Sequence, residues 1–587
     1  MKHCDYIFAD NKLTINNTGK SWCFDNISSV EGAEIIAPKG RTDEYSEIKA
    51  VRTDGSEVTY SCWKDLPVVR IGDDSENGLF LLWGEHWTVR AVKLHAYTDH
   101  CDTLTECVVH EPLYTGLHKV IEGDIFIFEN VLKEESYLLI SETPDHVRGS
   151  MTFNRSKPKD PFVVAVKNGG YPVVFGKCNK GEGEALCREY LRHANVCPSL
   201  VTMSNTWGDC NSADRVCHAF IEKEIEAARE IGVDIVQIDD GWQAGNTLYK
   251  CQRDERGNRI FDEGFWELNT ERFPDGIMPL SKLASSYGIK LGMWFAPASR
   301  DCFSMIERDK AVMTKAYEEY GARFFKLDMY QALDKPHVDK MLELLAHIHS
   351  LGDDVTVQMD VTRYERLNYL CGREYGTIFV ENRYTKNGWS FPYKPLKNLW
   401  DICRYVPSNR FQFELVNPDL NTEYYEENDP LAPVNYTMDY LFAGVMLSNP
   451  LFWMEIQFLS EKRRAELSPI LKVWKEHRAA LSSADVLPIG ERPSGVSNTG
   501  FYISKNGKPE YLLLFREYND HKTFTYDIPF DGVCIPEILA TNGKVKIDVD
   551  KGVVKATFEE PRSYAFIKLN TDNPVVKTIN KIKEKIS

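Results

Sequence analysis

The stretch Asp234-Ile235-Val236-Gln237-Ile238-Asp239-Asp240-Gly241-Trp242 decides the fold. Residues 235–238 are short, mostly apolar and β-branched, as in a buried strand, and two carboxylates follow them at once. A helical segment followed by a short apolar strand recurs downstream, with strands at 290–295, 323–327 and 355–359. Strands that alternate with helices pair in parallel, so this part of the chain is predicted to be an α/β domain.

The number of strands separates two α/β architectures. Strands are predicted at 200–203, 235–238, 290–295, 323–327, 355–359, 377–380, 411–415 and 443–448. Helices are predicted at 212–231, 278–287, 306–320, 337–350 and 364–374. About eight strands over roughly 280 residues favour a closed (β/α)8 barrel. The alternative is a doubly wound open sheet. This chain lacks the G-x-G-x-x-G loop that is expected after the first strand of such a sheet.

The barrel is predicted to lie between two β domains. Residues 1–190 contain short apolar or alternating runs between Gly, Asp and Asn turns, which is typical of a β-sandwich. Residues 195–480 form the barrel, 485–573 a small antiparallel β-domain, and 574–587 a Lys-rich solvated tail. The predicted fold class is multidomain α/β plus all-β, with a central (β/α)8 TIM barrel, an N-terminal β-sandwich and a small C-terminal β-domain.

Charge, cysteine content and apolar runs limit the binding partners and the cellular compartment that are expected for this chain. The 587 residues carry a formal net charge of −17, so the chain lacks the basic surface that nucleic acids and anionic membranes bind. The 15 Cys form no C-x-x-C pair, and the start Met1-Lys2-His3-Cys4-Asp5-Tyr6 lacks the apolar segment of a signal peptide. The longest apolar run, 441–454, is too short to cross a bilayer. These features predict a cytoplasmic protein with no nucleic-acid or membrane partner.

Acidic residues stand at the ends of four predicted strands: Asp239 and Asp240, Asp328, Asp360, and Glu381. In a (β/α)8 barrel the carboxyl ends of the strands meet at one face, where active sites lie. One such Asp alone has a simpler explanation as a helix N-cap. Four strand ends at once, with Trp207, Trp242 and Trp294 nearby, favour a binding site.

Clustered carboxylates fit one chemistry in particular. Glycoside hydrolysis requires two carboxyl groups beside the anomeric carbon, one to attack it or stabilise its charge and one to donate a proton. Further carboxylates and a Lys can hold the ring hydroxyls, and an aromatic face can cover the C–H side of the sugar. This inventory predicts a glycosidase that needs no cofactor and no metal.

Four motifs strengthen this interpretation: residues 234–242, Phe273-Pro274-Asp275-Gly276, residues 291–297, and Phe325-Lys326-Leu327-Asp328-Met329. In order and spacing they resemble glycoside hydrolase family 36, which comprises retaining α-galactosidases and the related raffinose and stachyose synthases. The similarity is confined to about residues 200–400. The resemblance implies an N-terminal β-sandwich, a barrel and a C-terminal β-domain, and it leaves open a homo-oligomer in which the sandwich covers a neighbouring protomer's pocket.

The resemblance implies a catalytic pair. Asp328 occupies the Asp of the family's Lys-Trp-Asp-Met motif and is the expected nucleophile, while Lys326 is expected to contact sugar hydroxyls. The family's acid/base is the Asp of a Trp-Thr-Ser-Asp-Asn stretch on strand six. The matching stretch here is Ile378-Phe379-Val380-Glu381-Asn382, so Glu381 is the expected acid/base.

The resemblance also implies the sugar contacts. Asp239 and Asp240 are expected to bind the O4 and O6 end of the sugar. Trp242 and Trp294 are expected to shape the pocket, with Trp207 as a further substrate contact.

The loop after strand five departs from the family. Where the family has Cys-Ser-x-Gly-Gly-Gly-Arg beside the 2-hydroxyl, this chain has Asp360-Val361-Thr362-Arg363-Tyr364. Asp360 and Arg363 are therefore expected to bind a different substituent at C2 or a neighbouring sugar. Asp360 is also the alternative acid/base.

The predicted function is a retaining, exo-acting α-glycosidase, α-galactosidase-like, that removes a terminal α-galactoside from an oligosaccharide or glycoside by double displacement. Alternatives stay open. The enzyme could transfer the sugar to an acceptor, or act on a different sugar because of the altered loop. Asp239, Asp240 and Asp328 could bind Mg²⁺ in a barrel lyase or isomerase, although Lys326 would repel the metal. The chain could also bind sugar without catalysis.

Overall fold

Coordinates come from a computed structural model. It describes residues 4–571 except 37–43, 73–77, 83–85, 96–103, 111–117, 145, 158, 194–198, 209–211, 246–254, 256–260, 262–263, 363–364, 380–382, 531 and 533. The predicted tail at 574–587 lies outside the described residues. No helix in the described part of the chain is both long enough and apolar enough to cross a membrane.

Antiparallel sheets come first in the chain. Three strands pair near the N-terminus: Asp5–Ala9, Lys12–Asn17 and Lys20–Phe24. A nine-stranded sheet has the spatial order Thr105–His110, Trp87–Leu94, Ile125–Asn130, Ser136–Ser141, Val173–Cys178, Val68–Gly72, Glu57–Trp63, Tyr45–Arg52 and Ile27–Ile36. A four-stranded sheet has the order His118–Gly123, Gly149–Asn154, Phe162–Lys167 and Gly78–Leu82. Helix Gly183–His193 then leads towards the barrel.

Parallel strands form the central barrel. Strands one to eight are Met203–Asn205, Ile235–Ile238, Lys290–Phe295, Phe324–Leu327, Thr356–Asp360, Thr377–Phe379, the two-piece strand Phe411–Gln412 and Glu414–Leu415, and Leu451–Phe452. Strand one pairs with strand two and with strand eight, which also pairs with the second piece of strand seven. Because the first piece of strand seven pairs with strand six, the ring closes. The predicted fold class, a central (β/α)8 barrel between β domains, is confirmed.

Helices surround the barrel. They are His218–Ile231, Met278–Ser286, the short turn Arg300–Phe303, Ile306–Glu318, Lys335–Ser350, Tyr393–Ile402, Met438–Val445 and Glu461–Ser482. Short 3-10 helices lie at Arg373–Tyr375, Thr385–Asn387, Ser408–Arg410, Thr422–Tyr424, Pro433–Asn435 and Ile456–Phe458. The barrel strands are apolar runs because helices or β domains cover their outer face and side chains fill the interior.

One predicted strand is wrong. The segment 443–448 was expected to be a strand, but Met438–Val445 is a helix and strand eight is Leu451–Phe452. Every residue from 440 to 454 is buried, so the run is apolar on all sides. A short apolar run without periodicity fits a buried helix and a buried strand equally well.

The helix predicted at 364–374 is wrong. The crossover after strand five carries no α-helix in its described residues, 361–362 and 365–376, only the 3-10 helix Arg373–Tyr375. The N-terminal sheets pack there instead. Tyr369 Oη donates to the His95 carbonyl at 2.7 Å, and Arg373 Nε donates to Glu142 Oε1 at 2.7 Å. The loop that follows strand five is therefore held between the barrel and the N-terminal β region.

Two further sheets follow the barrel. The five-stranded sheet has the order Asp485–Gly490, Asn498–Lys505, Lys508–Arg516, Ser563–Asn570 and Ile535–Thr541. The three-stranded sheet has the order Thr523–Asp527, Val553–Phe558 and Val545–Asp550. Both contribute to one apolar core that includes Leu512, Val554 and Ile567.

Candidate active site

Lys326 is the centre of the site. It lies on strand four, and only 3% of its side chain is exposed. Its Nζ lies 3.1 Å from Asp239 Oδ2, and 4.0 Å from both Asp328 Oδ2 and Asp360 Oδ2. The structure thus brings together three of the carboxylates that the strand-end pattern selected, from strands two, four and five, around one ammonium group.

This clustering keeps Lys326 charged. Burial alone would lower the pKa of the ammonium group, but Asp239, Asp328 and Asp360 outweigh burial and raise its pKa above the ordinary value. The positive charge of Lys326 in turn offsets the repulsion between the carboxylates, so that several acidic side chains can lie close together at one end of the barrel.

Asp239 is held from several sides. Asn205 Nδ2 donates to Asp239 Oδ2 at 2.8 Å, and the backbone N–H of Asp240 donates to Asp239 Oδ1 at 2.9 Å. Asp240 is buried as well and accepts a hydrogen bond of 2.6 Å from Gln243 Nε2. These bonds fix both carboxylates at the end of strand two, with Asp239 towards Lys326.

Asp328 is the most accessible of the three carboxylates around Lys326, with 18% of its side chain exposed, against 4% for Asp239 and 2% for Asp360. Its Oδ1 accepts from Arg366 Nη1 at 2.9 Å and from the backbone N–H of Met329. Its Oδ2 accepts a longer bond of 3.3 Å from Trp294 Nε1. Oδ1 is therefore tied down, and Oδ2 is the less encumbered oxygen.

Arg366 was missed by the sequence analysis, which selected Arg363 from the same loop. Arg366 Nη1 donates to Asp328 Oδ1 at 2.9 Å, to Asp360 Oδ1 at 2.8 Å and to the Asp360 carbonyl at 2.9 Å. One buried nitrogen thus bridges the ends of strands four and five. The available signal was an Arg six residues after a strand-end Asp, but a loop without a helix does not fix which Arg turns inward.

The two bridged carboxylates have opposite pKa shifts. Burial would raise the pKa of Asp328, but Arg366 and Lys326 outweigh burial and lower it. Burial first, and then the Asp328 carboxylate, raise the pKa of Asp360 to about 6, although the same cations oppose the shift. Asp328 is therefore ionised at neutral pH, whereas Asp360 can take up a proton at mildly acidic pH.

The predicted tryptophans have different positions. Trp294 donates directly to Asp328. Trp242 is fully buried, and its Nε1 donates to the Trp294 carbonyl at 2.9 Å, so it supports the pocket wall from behind. Trp207 Nε1 donates to Tyr384 Oη at 3.2 Å.

Further aromatic rings line the other side of Lys326. Its Nζ lies 5.0 Å from the centre of the Trp453 ring and 5.6 Å from that of Phe379, within the range of cation–π attraction. The Tyr384 and Trp453 ring centres are 5.9 Å apart. Sequence analysis did not select these three rings, because aromatic residues at strand ends occur as often in ordinary cores.

Two predicted site residues, Glu381 and Arg363, lie outside the described residues. The neighbours of Glu381 are described on both sides, with Phe379 at the end of strand six and Arg383 just beyond. Arg383 is buried and pairs with Glu414 of strand seven at 3.2 Å. The pair anchors the chain directly after the segment that carries Glu381.

The same carboxylates would be the ligands of a metal ion at this face of the barrel. Across the described ranges, no group of three or more His, Cys, Asp or Glu side chains is arranged to hold a metal ion. The ammonium of Lys326 occupies the centre of the carboxylate cluster, where a cation would otherwise sit.

Comparisons with known proteins identify a family segment within the barrel. The Melibiase family model matches residues 202–343, which run from strand one to the helix after strand four. The match includes Asp239, Lys326 and Asp328 and ends before strand five. Alpha-galactosidase 2 of Pediococcus pentosaceus is 27% identical over 99 residues, which are 17% of this chain and 12% of that protein.

Solved structures extend the likeness to nearly the whole chain. An α-galactosidase from Lactobacillus brevis superposes with a TM-score of 0.63 at 10% identity, covering 93% of this chain and 86% of that one. A GH36 α-galactosidase from Geobacillus stearothermophilus in complex with raffinose gives 0.59 at 13% identity, covering 96% and 90%. At these identities the structures establish the fold. The chain is therefore GH36 α-galactosidase-like in its overall fold, with a Melibiase segment across the first four strands of its barrel.

Proposed function

We propose that the chain is a retaining, exo-acting α-galactosidase-like hydrolase that removes a terminal α-galactosyl residue from an oligosaccharide. The observation that carries the proposal is Lys326, whose Nζ lies within 4.0 Å of carboxylates from strands two, four and five. A buried cation ringed by carboxylates at the carboxyl face of a barrel suits a neutral, hydroxyl-rich ligand. The raffinose complex of the Geobacillus enzyme supports an oligosaccharide as the substrate class.

Asp328 is the nucleophile in this proposal. Arg366 holds Oδ1 and lowers the basicity of the carboxylate, so Oδ2 attacks the anomeric carbon. The bond from this carbon to the leaving oxygen breaks as Glu381 protonates that oxygen, and a covalent glycosyl-Asp328 ester forms. Glu381 then removes a proton from water, which attacks the same carbon and releases the sugar with retained configuration.

Binding of the sugar involves the other members of the cluster. Asp239 and Lys326, which are 3.1 Å apart, offer an acceptor and a donor to neighbouring hydroxyls, with Asp240 beside them. The family resemblance assigns Asp360 and Arg363 to the part of the site that binds the 2-hydroxyl. The loop that contains both residues lies beyond the Melibiase match, so it is where a preference for another C2 substituent would arise.

Asp360 is the second candidate for the acid/base, because its pKa is raised to about 6 by burial and by Asp328. Its exposure argues against the role, since only 2% of the side chain is accessible and Arg366 and Thr362 already bind Oδ1. Glu381 remains the assignment of this proposal.

The test compares leaving groups. Glu381→Gln should lose about 10²-fold or more in kcat/KM on raffinose, which needs a proton donor, and far less on α-galactosyl fluoride, which does not. Glu374→Gln, at the opposite end of strand six, is the matched control. If Asp360→Asn shows the leaving-group dependence and Glu381→Gln does not, the acid/base is Asp360.

Stereochemistry tests the mechanism independently. Proton NMR of the first product should show α-galactose before it equilibrates in water. β-Galactose as the first product would establish inversion and end the proposal of a covalent Asp328 intermediate.

The proposed compartment is the cytoplasm. Among the described residues there are eleven cysteines, none of which forms a disulfide, and seven of them are buried. Thiols persist in a reducing compartment, which supports this location.

A further inference from the structure

Two exposed aromatic side chains lie on the carboxyl face of the barrel. Trp389 follows strand six and is 45% exposed, and Tyr424 follows strand seven and is 57% exposed. Single exposed aromatic residues are common on protein surfaces. These two differ because they belong to neighbouring loops at the face that carries the site.

The two loops are fastened to each other. Asn421 Nδ2 donates to Thr385 Oγ1 at 2.7 Å, and Tyr425 Oη donates to the Ser390 carbonyl at 3.0 Å. Gly388 has φ +66°, and a Cβ at this position would lie 2.5 Å from the Tyr424 carbonyl oxygen. The backbones of the two loops are therefore in close contact next to Trp389. The pair Trp389 and Tyr424, hereafter the aromatic platform, therefore lies on a braced surface.

The loop that carries the platform also contributes to the wall of the pocket. Tyr384 lies in the same loop as Trp389, and its hydroxyl accepts the bond from Trp207. Its ring lies 5.9 Å from that of Trp453, which in turn lies 5.0 Å from Lys326 Nζ. Within five residues the chain therefore passes from the wall beside Lys326 to the exposed Trp389.

We propose that the aromatic platform is a leaving-group subsite that stacks against the second sugar ring of an oligosaccharide. The inference rests on the proposed function, in which Glu381 protonates the leaving oxygen from the end of strand six. A leaving group on that side lies against the loops after strands six and seven. Trp and Tyr bind sugar rings well because their faces cover C–H groups, and few side-chain rotations are lost on binding.

The kinetic test uses substrates that differ only in the leaving group. Trp389→Ala and Tyr424→Ala should each lower the ratio of kcat/KM for raffinose to kcat/KM for α-galactosyl fluoride, by about tenfold for Trp389, the size of a strong contact residue. Tyr287→Ala is the control, since Tyr287 is 37% exposed and lies just before strand three, on the opposite face of the barrel. An unchanged ratio in both platform variants overturns the proposal.

A binding measurement separates the subsite from the reaction. Saturation-transfer NMR with sucrose, the part of raffinose that leaves, should give signals with the wild-type protein and with Tyr287→Ala, and lose them with Trp389→Ala. Absence of signals with the wild type, or their persistence in Trp389→Ala, overturns the platform whether or not the protein cleaves galactosides. A protein that binds sucrose through Trp389 but leaves raffinose and the fluoride intact keeps the subsite and rejects the proposed hydrolysis.

Discussion

Asp328 directly follows strand four, and Asp360 is the last residue of strand five. Arg366 Nη1 binds both side chains, yet the pKa values of the two carboxyl groups are shifted in opposite directions. Asp328 keeps 18% of its side chain exposed and has a lowered pKa. Asp360 keeps 2%, and its pKa is raised to about 6. Both carboxylates share Arg366 and Lys326 as cations, so the difference has other causes. Asp328 also accepts hydrogen bonds from Trp294 and from the Met329 N–H, whereas burial and the charge of Asp328 raise the pKa of Asp360.

This comparison shows how one cluster can hold an ionised carboxylate beside a carboxyl group that takes up a proton at mildly acidic pH. Two nearby carboxyl groups whose pKa values are pushed apart can serve as an anion and as a proton carrier at the same pH. The Melibiase match covers strand four and stops before strand five. The family match therefore includes Asp328, whereas Asp360 lies outside it and is distinguished by its own surroundings.

The substitution Asp328→Ala is expected to have the largest effect on activity and to distinguish Asp328 from Asp360. We expect kcat/KM on 4-nitrophenyl α-galactoside to fall about 10⁴-fold, because the attacking carboxylate is lost. Each tenfold loss corresponds to about 1.4 kcal/mol of transition-state stabilisation. Azide should restore turnover by attacking from the vacated side, giving β-galactosyl azide. Asp360→Ala should show no such rescue. An Asp328→Ala enzyme that keeps a tenth of the wild-type activity would refute the assignment.

Removal of the shared cation should affect both strand ends. Arg366→Gln should lower kcat/KM by about 10²-fold, since Asp328 loses its orienting donor. Because Arg366 lowers the pKa of Asp328, its loss raises that pKa, and activity should fail at a higher pH as the solution is acidified. A pH–rate profile of kcat/KM measures the shift.

A conservative variant separates charge from simple structural damage. Arg366→Lys should keep the acidic limb near its wild-type position while recovering part of the activity. Arg464→Gln, which breaks a partly exposed pair with Glu230, is the control and should leave the profile in place. An Arg366→Gln enzyme with an unmoved acidic limb would mean that Arg366 does not set the protonation of Asp328.

Asp360→Asn should have a smaller effect that depends on pH. Above its pKa of about 6 the wild-type side chain is a carboxylate that Asn does not replace, and below it the protonated acid resembles Asn. We expect a loss of about tenfold in kcat/KM near pH 7.5, and a clearly smaller loss near pH 5. An equal loss at both pH values would contradict a titration of Asp360 in this range.

The smallest expected effect is on thermal stability. Asp360 has a folded-state pKa above its unfolded value, so the folded protein binds the extra proton and its free energy of unfolding declines as pH rises from about 4 to 6. Asn cannot titrate, so the Tm of Asp360→Asn relative to the wild type should rise over this interval, by roughly 1–3 °C. A Tm difference that stays constant, or falls, from pH 4 to 7 would contradict the raised pKa.

Part of the site followed from sequence because strand ends in a parallel barrel share one rim. The pattern that ends strands two, four and five in carboxylates therefore predicted which acids would meet, together with Lys326. The position of Arg366 could not be predicted from sequence. The described part of its loop contains no α-helix, and the path of this loop depends on the N-terminal sheets that pack against Tyr369 and Arg373. Trp242 was expected to shape the pocket together with Trp294, and only the structure shows that it is fully buried and donates to the Trp294 carbonyl.

The sequence alone determined the alternation of strands and helices, the two flanking β regions, and the acids at the strand ends, because these depend on local periodicity and on the geometry common to all barrels. Tertiary structure decided which arginine bridges Asp328 and Asp360, which of these two carboxylates stays ionised, and that the run at 443–448 begins as the end of a helix and forms no strand. These outcomes depend on burial and on distances between residues far apart in the chain, which no local pattern contains.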